Sequence, residues 1–266
     1  MTLIESIVIA IVEGITEFLP ISSTGHMIIA ERLLGLPKDD VFTKLFTIAI
    51  QLGAILSVVI LYWRKFFDFS RWEFYTKLII AVIPALVIGY LFENKIDKLL
   101  ESPTTVAISL LAGGIVLLFI DKVFTHPVID REKKITFVKA FIIGIWQCIA
   151  MVPGVSRSAA SIIGGMQQKL TRRVAAEFSF FLAVPTMAAA TFYKLFKTFN
   201  EHPDVVKDDH NLILLVTGNL VAFVVAMLAI KFFIKYLQKY GFKLFGWYRI
   251  TVGIILLVLI YSGYLK

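Results

Sequence analysis

The chain has 266 residues, of which 58% are hydrophobic and only 17% charged, and its mean hydropathy is +0.83. A soluble domain carries about a quarter of its residues as charges, so the composition excludes a soluble enzyme and points to a polytopic helical membrane protein, one integral domain over residues 1–266. The net charge of +8 is read as Lys and Arg in loops facing anionic membrane lipid, not as a nucleic-acid surface.

Residues 3–19 form an apolar arm of 17 residues carrying Glu5, Glu13 and Glu17. No basic n-region or small-residue cleavage site marks it as a signal peptide, so it is read as mature structure. Pro20 removes a backbone donor and breaks the helix. Ser22, Ser23, Thr24 and Gly25 follow as a polar loop, and after His26 a short arm of 8 residues covers 27–34. Such an arm reaches roughly 12 Å against a hydrocarbon core of about 30 Å, so the two arms read as a re-entrant hairpin. Spans are predicted over 46–63, 77–92 and 106–120. The charged loop 32–44, the basic aromatic stretch 64–71 and the mixed-charge loop 93–101 separate these elements, and a polar linker follows over 121–139.

The order then repeats. Residues 135–151 are again an arm of 17, Pro153 breaks it, the polar loop GVSRS follows, and 159–166 is again an arm of 8. A basic loop with Lys169, Arg172 and Arg173 leads to predicted spans over 178–196, 212–230 and 250–265, with 197–211 and 231–243 as connections. Pro20 and Pro153 stand 133 residues apart, and FTKLFTIAIQLGAI from Phe42 resembles AEFSFFLAVPTMAA from Ala176 at an offset of 134. An internal duplication is predicted, with repeat 1 over about 1–121 and repeat 2 over about 135–266. A hairpin returns to its own side and three spans do not, so the second repeat is inverted and the hairpins meet near the midplane. The predicted fold class is therefore an all-α polytopic membrane protein of two inverted repeats, each one re-entrant helical hairpin plus three transmembrane helices. With Lys231–Arg249 counted as a connection, Lys and Arg number 9 on the N-terminal side and 17 on the other. The positive-inside rule puts the second side in the cytoplasm and both termini outside.

Broken, polar backbone at membrane depth is tolerated only where it is buried in protein or lines a wet cavity, and an isolated charge there costs roughly 2.5–3.5 kcal/mol. Glu13, Glu17 and Arg157 are therefore functional candidates. The two Glu, four apart, share a helix face. They repel unless one is protonated or a cation bridges them, and such oxygen ligands suit Mg²⁺ or Ca²⁺. Arg157 has a planar fork suited to phosphate oxygens and precedes a helix N-terminus, which attracts anions. Ser156, Ser158 and Ser161 add hydroxyls beside it; Ser22, Ser23 and Thr24 do so from the other hairpin. His26 is the one His in an apolar segment, His126, His202 and His210 being in loops. This inventory describes a site for a phosphorylated, membrane-dwelling substrate.

Structural roles compete for the same residues. Glu13 and Glu17 could be a salt bridge to Arg157, His26 a helix cap, and one Ser a plain N-cap. Gln147 could bond between helices instead of touching substrate, and Gly113, Gly114 and Gly253 fit close helix packing. Cys148 reads as a small core residue, Glu5 as solvated at the interface, and Glu177 as an ion-pair partner of Arg172 and Arg173.

Two motifs carry a family resemblance. The first, E-x-x-x-E followed by F-L-P-x-S-S-T-G-H, stands at Glu13, Glu17, Phe18–Pro20 and Ser22–His26; the second, P-G-x-S-R-S, stands at Pro153, Gly154 and Ser156–Ser158. In this order and hydropathy the chain resembles, over essentially its whole length, the bacterial undecaprenyl-pyrophosphate phosphatases of the bacitracin-resistance family. The resemblance implies a multi-pass enzyme of the bacterial cytoplasmic (inner) membrane. Such an enzyme removes the terminal phosphate of a polyprenyl pyrophosphate lipid, with a divalent cation and a pocket opening to the outer face. On that mapping the catalytic set is Glu13, Glu17, Ser23, His26 and Arg157. Glu13 and Glu17 bind metal or act as acid and base, Ser23 is nucleophile or phosphate ligand, and His26 is base or phosphate acceptor. Substrate binding falls to Ser22, Thr24, Gly25, Gln147, Gly154, Ser156, Arg157, Ser158 and Ser161. Ala159 and Ser161 depart from the family's more usual Gly and Thr. A lipid-phosphate transporter is the alternative reading, because inverted repeats with broken helices are also a transporter plan. A homodimer is compatible with the same features. A lipid phosphatase of the acid-phosphatase type would need a second intramembrane His.

Overall fold

The structure, a computed structural model, describes residues 1–37, 40–100 and 102–264, without the side chains of residues 93, 94, 97, 98, 100 and 207. Lys38 and Lys266, and the side chains of Lys98 and Lys207, all counted above as cations of the N-terminal side, lie outside the described residues.

The first helix, α1 (Leu3–Thr16), starts under a reciprocal cap: Thr2 Oγ1 accepts from Glu5 N–H and Glu5 Oε2 accepts from Thr2 N–H. Glu5 thus caps a helix, a more specific role than solvation at the interface. The helix ends four residues before Pro20, which disfavours helical backbone in its predecessor. The short return arm, α2 (Ser23–Leu33), begins earlier than the polar loop suggests, because Ser22 caps it and Ser23–His26 become its first turn. At 1.5 Å per residue α1 is about 21 Å long and α2 about 17 Å, both short of a bilayer core.

Next come α3 (Val41–Leu61), the single turn α4 (Trp63–Phe66), α5 (Trp72–Leu100), which leaves helical geometry at Phe92, and α6 (Pro103–Val123). The second half runs α7 (Phe137–Cys148), a 3₁₀ turn over Ile149–Met151, α8 (Arg157–Gln167), α9 (Arg172–Glu201), the short α10 (Pro203–Lys207), α11 (Asp209–Tyr240) and α12 (Lys243–Tyr261). Among the described residues six helices, α3, α5, α6, α9, α11 and α12, are long and apolar enough to cross a membrane. The chain is a multi-pass membrane protein. Four of these helices begin before their apolar windows because Asp40, Ser102, Thr171 and Asp208 cap them from flanking polar sequence.

The largest departure from the sequence reading is the stretch read as a connection over 231–243. It is helix: α11 continues through Lys231, Lys235 and Lys239 to Tyr240. Ile230, Phe233 and Leu237 recur on one buried stripe, while the three Lys face outwards. The last span accordingly starts at Lys243, and Arg249, counted above as a loop cation, is fully buried inside α12.

Each short helix pair is held by helices of the other half. α1 packs on α2 and on α11; α7 packs on α8 and on α5; α3 lies against α9 and α11, and α6 against α12. Gly114 and Gly253 sit where α6 and α12 cross. Phe18, at the first tip, stands edge-on to Phe180 of α9 at 5.3 Å. Cys148 is a half-buried thiol donating to Gly144 O. Around the α4 end, Glu177 pairs with Arg173 at 2.8 Å and with Lys65 at 3.5 Å, while Arg172 turns instead to Asp121 at 2.7 Å. A cavity of about 990 Å³ opens there, lined by Lys65, Arg71, Glu132 and Glu177 among others and by none of the predicted site residues.

Candidate active site

Both hairpins turn through the same unusual backbone. Ser22 (φ 70, ψ 99) and Ser156 (φ 75, ψ 116) are the N-caps of α2 and α8, and their hydroxyls accept from Gly25 N–H and Ala159 N–H at 3.4 and 3.3 Å. A left-handed backbone at a non-glycine residue costs roughly 1–3 kcal/mol and collects at functional sites. Gly154 (φ 90) completes the second turn, and a Cβ there would stand 2.5 Å from Val106 O, so no other residue fits. Each turn leads into a helix N-terminus whose first-turn N–H groups lack helical acceptors, and such termini attract anions.

Glu17 joins the two tips. Its Oε1 accepts from Arg157 Nη2 at 2.9 Å and its Oε2 accepts from Ser23 Oγ at 2.6 Å. The salt bridge to Arg157 weighed as a structural role therefore exists at Glu17, and it lies inside the site. Arg157 also donates Nη1 to Ser179 O at 3.0 Å and stands over the Phe18 ring. Glu13, one turn before Glu17, is buried against it. Gln147 on α7 donates to Thr186 Oγ1 at 3.2 Å, an interhelical bond to α9.

Among the described residues, three buried side-chain polar atoms have no partner: Glu13 Oε1, Gln147 Oε1 and Arg157 Nε. All three belong to residues singled out from sequence. An unpartnered buried polar atom costs about 1–3 kcal/mol.

The described residues contain no group of three or more His, Cys, Asp or Glu able to hold a metal ion by themselves. Both Glu17 oxygens are engaged, whereas Glu13 Oε1 is open. This donor set fits a hard divalent cation held by one or two carboxylates and completed by phosphate oxygens and water, as Mg²⁺ commonly is, and not a closed protein cage.

His26 is placed differently from the sequence reading. Its Nδ1 lies 2.8 Å from Ser22 O and its Nε2 lies 2.7 Å from the Tyr248 hydroxyl, with the two rings stacked at 5.5 Å. A carbonyl only accepts, so Nδ1 carries a proton, and in the neutral ring Nε2 accepts from Tyr248. The group hydrogen-bonded to Ser23 Oγ is the Glu17 carboxylate, while the His26 ring nitrogens are taken up by Ser22 O and Tyr248. Ser158 and Ser161 are also committed within the protein. Ser158 Oγ donates to Leu19 O at 2.8 Å, and Ser161 Oγ donates to Arg157 O at 2.8 Å and lies 2.7 Å from Ser179 Oγ. They fasten α8 to the first tip and to α9. Ser22, Ser23, Thr24, Gly25, Gly154, Ser156 and Arg157 line the facing turns. Sequence reasoning missed Tyr248 and Ser179. Tyr248 reads as one more interfacial aromatic, and Ser179 contributes mainly a carbonyl, which no residue type announces.

The fold and this site define a polytopic helical membrane protein that gathers carboxylates, hydroxyls and a guanidinium where two short hairpins meet. Residues 6–255 match the family of bacitracin resistance protein BacA. The chain is 59% identical over 259 residues to an undecaprenyl-diphosphatase of Flavobacterium psychrophilum, covering 97% of this chain and 96% of that one. It is 52% identical over 280 residues to one of Porphyromonas gingivalis (99% and 98% covered), and 43% identical over 263 residues to one of Campylobacter jejuni (98% and 96%). The chain belongs to the BacA family.

Proposed function

We propose that this protein hydrolyses undecaprenyl pyrophosphate to undecaprenyl phosphate and inorganic phosphate in the bacterial cytoplasmic membrane, returning the lipid carrier to cell-wall synthesis and conferring bacitracin resistance. The observation that carries this reading is the contact set Ser23–Glu17–Arg157, in which a hydroxyl, a base and an orienting cation lie in hydrogen-bonding succession between two helix N-termini. The pyrophosphate sits between the tips, its oxygens bound by Arg157 and by the first-turn N–H groups of α2 and α8. The isoprenyl tail lies among the spans. Ser23 Oγ attacks the terminal phosphorus and its proton passes to Glu17. The bond to the bridging oxygen breaks, and undecaprenyl phosphate leaves without needing a proton. Water then attacks the phosphoserine phosphorus; as the P–Oγ bond breaks Glu17 returns its proton to Ser23 Oγ, and the water's protons leave with the released phosphate. A divalent cation at Glu13, with Glu17 beside it, supplies charge neutralisation on the phosphoryl oxygens when bound. His26 and Tyr248 form the wall on the α12 side.

Support for an inverted duplication comes from the matching serine turns 134 residues apart and from each hairpin packing on helices of the other half. With the Lys- and Arg-rich side in the cytoplasm, the α2–α3 connection faces outwards, and so does the entry to the site. Moving Arg249 out of the loop count leaves that bias in place.

The test is phosphate release from undecaprenyl pyrophosphate by the detergent-purified chain in Mg²⁺, Ca²⁺ or EDTA. Release that EDTA stops and Glu17→Ala abolishes is expected. No release from well-folded protein with either cation would sink the reading and reassign these residues to headgroup binding by a transporter.

A further inference from the structure

Among the described residues Arg249 of α12 is the largest fully buried side chain, and it has no carboxylate partner. Its guanidinium instead donates to five main-chain carbonyls. Nη1 reaches Pro20 O (3.2 Å) and Val155 O (2.9 Å), Nη2 reaches Gly154 O (2.8 Å) and Ser109 O (3.0 Å), and Nε reaches Leu110 O (3.4 Å). Guanidinium has five N–H donors and no acceptor, so every donor is used, and every one on backbone. The carbonyls come from three segments: the first tip, the second tip and α6.

The positions of these carbonyls matter more than their number. Pro20 lies two residues before the Ser22 cap, and Gly154 and Val155 lie immediately before the Ser156 cap. Both serines hold left-handed backbone that must be imposed from outside. One rigid planar group bonded to both approaches sets the distance and angle between the two helix N-termini. A buried cation without a counter-charge is a costly way to achieve mere packing. Beside an anionic headgroup, its charge adds to the attraction. The fold also makes room for it: a Cβ on Gly113 would stand 2.2 Å from Arg249 Nη2 and 2.7 Å from Cζ, so Gly113 is kept small by the guanidinium. The preceding residue, Tyr248, holds His26. Two successive side chains of α12 thus reach the site from a helix that supplies no residue to either motif.

We propose that Arg249 is a positioning residue of this site, clamping both re-entrant tips to α6 so that Ser23 and Arg157 face one headgroup; its catalytic consequence rests on the phosphatase reading above. The test compares wild type, Arg249→Lys and Gly113→Ala as full-length purified protein. Two readouts are kcat and KM on undecaprenyl pyrophosphate, and amide hydrogen exchange at residues 17–26 and 152–159. Lys has three donors on a flexible stem and cannot reach three segments at once. For Arg249→Lys, kcat is expected to fall about tenfold to a hundredfold with little change in KM, the size of effect that small misplacements produce. Both tips should exchange faster together while α3 and α9 keep their protection. Gly113→Ala retains the Arg but displaces it, and should move the same readouts in the same direction by less. It carries the test if Arg249→Lys does not fold. Unchanged kcat, tips as protected as in wild type, or equal loosening of every helix would overturn the proposal. If the wild type itself fails to release phosphate, the phosphatase reading falls, and the exchange pattern still decides whether Arg249 clamps the tips.

Discussion

The two hairpin turns have nearly one backbone and quite different chemistry. Ser22 and Ser156 share φ within 5° and the same cap hydrogen bond. Yet the first turn is flanked by Glu13, Glu17, Ser23 and His26, whereas the second is flanked by Gln147, Arg157, Ser158 and Ser161 and by no carboxylate or imidazole. The comparison separates what a turn must be from what it can carry. The left-handed cap, and the glycine at 154 that lets the second turn approach α6, are geometric requirements of ending one short helix and starting another inside a packed protein. The side chains beyond the caps are free to differ, and in the proposed reaction they divide the site into a half that would carry base and nucleophile and a half that would bind the anion. Glu17 and Arg157 are where the halves touch.

Several substitutions would break or sharpen that division. The largest effect is expected from Glu17→Ala, which removes the carboxylate bonded to both Ser23 and Arg157; kcat/KM for phosphate release should fall by about 10³-fold or more. Arg157→Lys keeps the charge and loses the planar fork, and roughly a hundredfold loss is expected, with much of it in kcat. Exchanging the caps is a milder comparison. Ser22→Ala and Ser156→Ala each remove one cap hydrogen bond and should cost about 1 kcal/mol of stability, read as a lowered melting temperature. Equal stability losses with a greater loss of activity for Ser22→Ala would confirm that the backbones match and the chemistries do not. The smallest effect is expected from Tyr248→Phe. It removes the hydroxyl from His26 Nε2 but keeps the stacked ring, and about a threefold drop in kcat is expected, near the value of one neutral hydrogen bond.

Much of this site is legible in the sequence because membranes make polarity conspicuous. Glu13, Glu17 and Arg157 interrupt apolar arms where an unneeded charge is costly, and the two Pro residues mark where each arm must turn. The hairpins and all six spans can be read from the same contrast. What cannot be read is whatever depends on a partner's backbone. Arg249 follows a Lys-rich stretch beside Trp247 and Tyr248, a pattern that reads as an interface. Only the continuation of α11 to Tyr240, driven by the Ile230–Phe233–Leu237 stripe, moves it into the interior. Its five acceptors are carbonyls, which look alike in every residue. The role of Ser158 and Ser161 was equally hidden. Hydroxyls beside an Arg read as phosphate ligands, but their bonds to Leu19 O and Ser179 Oγ depend on which helices lie opposite.

The claim that the two turns act as one site is tested most directly by a double-mutant cycle on phosphate release from undecaprenyl pyrophosphate, using Glu17→Gln, Arg157→Lys and the pair. Residues that work as a unit are strongly non-additive. The double variant is expected to be no slower than the worse single variant, within about threefold. Loss in the double variant equal to the product of the two single losses would mean that the halves act independently, and would contradict the account.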